Sequence, residues 1–160
     1  MKKYSKNFKN YLRDLGAKRP SPGGGSACVL SLCLGISLIE KAINYSLDKN
    51  ASLKNQAQHL SLLKNKLKPY IDLDAELFKK YMKTKGPARF IFLKKGNKIC
   101  IDTIKAAHEV ILLTKRVEFS IKKSIISDFY IGLELVKIAL KGCRVNLELN
   151  REVLAKAKKS

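Results

Sequence analysis

The feature that most limits how this chain can fold is a glycine triplet set between rigid and apolar sequence. Arg19-Pro20-Ser21-Pro22-Gly23-Gly24-Gly25-Ser26-Ala27 runs directly into residues 28–39, and no charge appears until Glu40. The prolines stiffen the approach. The glycines then free the backbone for positive φ, or for close contact with another group. Ser26 has the side chain of a helix N-cap, whose oxygen accepts from an N–H of the first turn. A glycine loop that opens the N–H groups of an apolar helix suits an anion or the polar edge of a ligand. No Gly-Lys-Ser/Thr follows and no strand precedes, so this is neither a Walker A loop nor a dinucleotide fingerprint.

A helix with no polar face needs cover on every side. In a chain of 160 residues that calls for a bundle around it, and it predicts a second subunit, a homodimer. The uncharged run is about a dozen residues, short of the roughly 20 that cross a bilayer. The expectation is a cytoplasmic protein with a buried helix and no membrane segment.

The rest of the chain reads as helix. Tyr4, Phe8, Tyr11, Leu12 and Leu15 share one helical face, with Gly16 ending the element. The apolar helix is expected over 27–47, and Asp48-Lys49-Asn50 marks a turn. Leu53, Ala57, Leu60, Leu63, Leu67 and Ile71 recur at intervals of three and four, broken or kinked at Pro69, and the pattern resumes to about residue 83. Gly86-Pro87 and Gly96-Asn97 are turn signals, with Phe90-Ile91-Phe92-Leu93 between them helical or extended. Over 99–119, Ile101, Ile104, His108, Ile111, Leu112 and Lys115 share a face. A long last helix starts near 124–127, carries the stripe Phe129, Leu133, Val136 and Leu140, and leaves 156–160 as a charged, frayed tail. The fold class is all-α, one domain over 1–160, an up-and-down bundle of five or six helices.

Lys and Arg number 33 against 13 Asp and Glu, a net charge of +20. Such a surface attracts polyanions, whether nucleic acid, anionic lipid or a ligand with several carboxylates. Residues 79–98 hold eight basic side chains and no acid. Interleaved aromatic repeats and Cys/His finger spacings are absent. Cys28, Cys33, Cys100 and Cys143 are scattered without a CxxC, which points to packed free thiols rather than a metal site or a disulfide framework.

Taken in order, four blocks resemble the C-terminal family of formiminotransferase-cyclodeaminases, over about residues 5–150. Leu15-Gly16-Ala17-Lys18-Arg19-Pro20-Ser21-Pro22-Gly23-Gly24-Gly25-Ser26-Ala27 is similar to its signature. Asp72-Leu73-Asp74-Ala75-Glu76-Leu77-Phe78 resembles its Asp-x-Asp-Ala-x-x-Phe block. Ser127-Asp128 matches its Ser-Asp at the head of the last long helix. Gly142-Cys143-Arg144-Val145-Asn146-Leu147-Glu148-Leu149-Asn150 resembles its Gly-Ala-x-x-Asn-Val-x-Ile-Asn.

The resemblance implies an all-helical, dimeric folate enzyme that closes 5-formimino-tetrahydrofolate with loss of ammonia, or opens 5,10-methenyl-tetrahydrofolate with water. It implies Asp72, Asp74 and Asp128 as acid/base or pterin-holding residues. Gly23, Gly24, Gly25 and Ser26 would shape the ligand loop, and Asn146 and Asn150 would orient the ligand or the interface. A tetrahydrofolate derivative is then the substrate, with no permanently bound cofactor and no metal, and a polyglutamate tail would suit the basic surface. Asp72 and Asp74, two apart, cannot both face inward on one helix. Asp128 reads equally as a helix N-cap. The catalytic reading requires Asp128 and the triglycine bend to line one hollow. The shortened segment 84–98 and the bulky Leu30, Leu32, Leu34 and Ile36 imply a reduced pocket. The alternative is a non-catalytic anion- or nucleic-acid-binding protein on the same scaffold.

Overall fold

The computed structural model describes residues 4–48 and 50–157. Lys49 of the expected turn and residues 158–160 of the expected tail lie outside the described residues. Six α-helices follow in order: α1 (Tyr4–Leu15), α2 (Gly24–Asn44), α3 (Lys54–Leu67), α4 (Tyr70–Lys83), α5 (Arg89–Val117) and α6 (Ile126–Ala157). Among the described residues there is no strand.

Helix α2 is the axis of the bundle. Val29, Leu32, Ile36, Ile39 and Ile43 are fully buried, each contributing roughly 1.5–3 kcal/mol relative to exposure. At 21 residues α2 is long and apolar enough to span a membrane, longer than the uncharged run alone suggests. Its burial against α3, α4, α5 and α6 is that of a core helix. The cover is not complete within one chain: Leu34 is 44% exposed, and Leu30 and Leu38 are half-buried.

Helix α6 runs antiparallel to α2. Ser31 Oγ donates to the Leu135 carbonyl at 3.0 Å. The two backbones come closest where glycine faces glycine. A Cβ on Gly35 would stand 2.6 Å from the Gly132 carbonyl oxygen, and one on Gly132 would stand 2.8 Å from that of Gly35. Helices α3 and α4 form one rod broken at Pro69, whose ring cannot continue the hydrogen-bond ladder. The rod lies antiparallel to α2, where Lys64 pairs with Glu40. It is also antiparallel to α5, where Tyr70 donates to Asp102 at 3.2 Å and His59 meets Glu109 at 2.5 Å. The rods α2, α3–α4, α5 and α6 thus alternate in direction, the expected up-and-down bundle.

Two features of α5 differ from expectation. It starts at Arg89 rather than 99, so Gly96-Asn97 lies inside a helix and only Gly86, with φ 67°, makes a turn. Its buried stripe is Ile99, Cys100, Thr103, Ala106, Ala107, Val110, Thr114 and Val117, whereas Ile101 is 41% and Leu112 55% exposed. Packed between neighbours, α5 turns its small residues inward, and Thr103 satisfies its hydroxyl on the Ile99 carbonyl at 2.8 Å. His108 is exposed, with Arg144 Nη2 at 3.2 Å.

Candidate active site

The triglycine bend enters α2 differently from the expectation. Gly23 is the N-cap, in extended backbone with φ −142° and ψ −160°, and the Ser21–Pro22 peptide is cis. None of the three glycines has positive φ. Ser26 is therefore not the cap; it sits in the first turn, fully buried, sharing a 3.1 Å hydrogen bond with the Tyr11 hydroxyl. The glycines serve close approach instead. A Cβ on Gly25 would stand 2.5 Å from Asp74 Oδ1. One on Gly24 would meet the Asn146 amide at 3.7 Å.

Asp74 hangs over this first turn from α4 and accepts from the Ser26 backbone N–H. Burial pushes its carboxyl above the ordinary aspartate value, and the Ser26 N–H only partly opposes that. Asp72 is exposed, while Asp74 lines the cavity. Periodicity explains the difference: Asp74, Leu77, Phe78 and Tyr81 fall at i, i+3, i+4 and i+7 of α4 and share one face.

The cavity holds about 180 Å³. An apolar cavity of about 150 Å³ accepts benzene, so there is room for a ring-sized group. Gly23, Gly24 and Gly25 form one wall, Asp74 with the α4 aromatics a second, and Phe92, Leu93, Gly96 and Cys100 of α5 a third. Asn146 and Asn150 close it from α6. Asn150 donates to Asn97 Oδ1 at 2.7 Å. At the rim, the Arg89 guanidinium lies 4.2 Å over the Tyr81 ring.

Sequence reasoning brought the glycines, Asp74, Asn146 and Asn150 to this hollow but missed the α4 and α5 walls. The signal was there: Leu93, Gly96 and Cys100 follow helical spacing, masked by reading Gly96-Asn97 as a turn.

Asp128 does not join them. It lies in the first turn of α6, and its Oδ2 accepts from Lys41 Nζ at 2.6 Å. Lys41 is 17 residues along α2 from Gly24, about 25 Å at the helical rise of about 1.5 Å per residue. Among the described residues, no hollow joins Asp128 to the glycine bend. Asp128 complements the α6 dipole and an exposed lysine, whose pKa it raises.

Fold and cavity together define an all-α, up-and-down bundle with a ring-sized hollow at the start of its central helix. The chain belongs to the formiminotransferase-cyclodeaminase family, whose sequence model matches residues 7–159. Its fold is similar to the crystal structure of formiminotetrahydrofolate cyclodeaminase from Thermotoga maritima. The TM-score is 0.81 at 19% identity, covering 90% of this chain and 77% of that one. No curated protein sequence matches the chain.

Proposed function

We propose that the chain is a one-carbon folate enzyme, a methenyltetrahydrofolate cyclohydrolase or formiminotetrahydrofolate cyclodeaminase, with Asp74 as its proton carrier. The observation that supports this best is the Asp74 carboxyl poised over Gly25 in a ring-sized cavity, in a chain of this family. In the cyclodeaminase reaction the formimino carbon on N5 is attacked by N10 and ammonia leaves. In the cyclohydrolase reaction water adds to the methenyl carbon and one carbon–nitrogen bond opens. Both pass through a tetrahedral carbon between the two folate nitrogens. Departing ammonia needs a proton, and adding water must lose one. A carboxyl whose pKa burial has raised above the ordinary aspartate value can do either.

Phe78, Tyr81 and Phe92 offer aromatic faces to a flat heterocycle. Asn146 and Asn150 present amides that match its polar edge. The basic side chains of 79–98 flank the wall residues of α4 and α5 and suit the carboxylates of a glutamate tail.

The half-covered face of α2 continues onto α6, where Ile131, Ile138, Val145 and Leu149 are each more than half exposed. A second copy of the chain would cover this strip, which supports the homodimer.

The +20 charge favours a second reading, a non-catalytic anion binder on the same scaffold. Optical turnover assays with methenyl- and formimino-tetrahydrofolate separate the two. Turnover of either supports the enzyme. No turnover, together with duplex DNA binding that weakens steeply with salt, supports the binder.

A further inference from the structure

Arg89 opens α5 with a charge that no protein group answers. Its Nε is buried without a hydrogen-bond partner, and among the described residues no carboxylate pairs with its guanidinium. Stacking holds it instead. The guanidinium carbon lies 4.2 Å from the centre of the Tyr81 ring and 5.8 Å from that of Phe90, within the reach of about 6 Å over which a ring face attracts a cation. Residues 79–98 hold eight basic side chains and no acid, so the neighbouring chain supplies no counter-charge. A guanidinium that loses water without gaining an acceptor is costly, and an arriving carboxylate removes that cost.

Its place relative to the cavity is set by two helix faces. Arg89, Leu93, Gly96 and Cys100 recur at i, i+4, i+7 and i+11, so they share one face of α5. The last three line the cavity. On α4 the cavity face runs from Asp74 to Tyr81, about two turns, or about 10 Å at the helical rise of about 1.5 Å per residue. Asp74 marks one end of that face, and the ring beside Arg89 marks the other. The side chain is half-buried, so the guanidinium is braced without being sealed off from a ligand.

We propose that Arg89 is a specificity-determining residue that holds the α-carboxylate of the glutamate on a folate substrate. The inference rests on the folate reading and adds a second anchor to it. With the reacting carbon at Asp74, a benzoyl ring and one amide bond carry the α-carboxylate about two helical turns along α4, to Tyr81 and Arg89. The guanidinium donates two parallel N–H···O bonds to the two carboxylate oxygens. Stacking on Tyr81 fixes that fork before the ligand arrives, so little side-chain freedom is lost on binding. The lysines of 79–98 attract any anion without choosing among carboxylates; only a contact at Arg89 separates the α-carboxylate from the γ.

The test measures equilibrium binding of tetrahydrofolate, its α-carboxamide and its γ-carboxamide to the full chain and to Arg89→Met, which keeps an apolar stem on Tyr81. The parent protein should bind the α-amide about 10- to 100-fold more weakly than the acid, the range for a hydrogen bond to a charged group. The γ-amide should stay within about threefold of the acid, the smaller effect of an exposed charge. Arg89→Met should bind tetrahydrofolate about 10- to 100-fold more weakly and no longer separate the acid from the α-amide. Arg89→Lys, with the charge but not the fork, should recover only part of the loss. Two results overturn the proposal and leave the folate reading standing. One is a parent protein that binds the acid and the α-amide alike. The other is an Arg89→Met that weakens all three ligands by one factor, the mark of an arginine that only braces α5. A parent protein that binds none of the three overturns the folate reading, and this inference with it. If Arg89→Met does not fold, the parent's ranking of the three ligands decides alone.

Discussion

Asp74 and Gly25 stand in a contact that leaves no room for a methyl group. A Cβ built on Gly25 falls 2.5 Å from Asp74 Oδ1, and the same carboxyl accepts from the next backbone N–H, that of Ser26. The α2 N-terminus and the α4 carboxylate are therefore fitted as one unit, and the glycine is what lets them meet.

Gly25→Ala should separate that unit. Overpacking of this kind costs about 1–3 kcal/mol, read as a lower denaturant midpoint. Folate turnover should fall more than the loss of folded protein accounts for, because Asp74 is displaced from the cavity. Gly24→Ala is the control. Its methyl would meet Asn146 at 3.7 Å, an ordinary contact, so stability should change little.

Asp74 also fixes a pH dependence of stability. Its folded pKa is raised above the ordinary value of 3.8, so the folded state holds the proton more tightly than the unfolded chain. The stabilisation is complete below about pH 3.8 and is lost as pH rises through the raised folded value. Asp74→Asn removes this dependence. Denaturant titrations should show the variant gaining on the parent protein between pH 3.5 and pH 7, whereas a constant difference would mean that burial does not penalise the charge.

Much of the fold was legible because periodicity reports burial. The break at Pro69 and the α2 core could both be read from spacing and residue size. Helix α5 was less legible. Its inward stripe mixes Ala, Thr and Cys with Ile99, Val110 and Val117, while Ile101 and Leu112 point outward, so hydrophobicity alone does not choose the face. The site was half legible. Asp74 could be placed near the glycines by resemblance, but residue type alone does not separate Asp74 from Asp72 or Asp128. Burial does, and burial depends on how α4 packs over the start of α2.

Gly96 faces open space, since a Cβ there meets nothing within 4 Å, yet it lines the cavity. Gly96→Ala should therefore stabilise α5 by about 0.5–1 kcal/mol. Gly96→Phe should keep the fold and fill the cavity, weakening binding of a folate substrate analogue at least tenfold in a fluorescence titration. Unchanged binding would place the ligand elsewhere.

The apolar strip over α2 and α6 gives an assembly prediction. Ile138, 57% exposed, is the substitution point. If a second copy covers the strip, Ile138→Lys buries an unpaired charge at the interface, so a dimer should become a monomer in light scattering. A parent protein already monomeric at micromolar concentration would contradict the homodimer.

The measurement that most directly tests the account is the turnover of methenyl- and formimino-tetrahydrofolate by Asp74→Asn and Asp128→Asn, each shown to be folded. Loss of a positioned proton carrier costs about 10²–10⁴-fold, and Asp74→Asn should fall in that range. Asp128→Asn, whose carboxylate pairs with Lys41 at the far end of α2, should retain the parent rate within about threefold, far less than loss of a proton carrier costs. The reverse pattern, with Asp74→Asn active and Asp128→Asn silent, would contradict the assignment of the chemistry to this cavity.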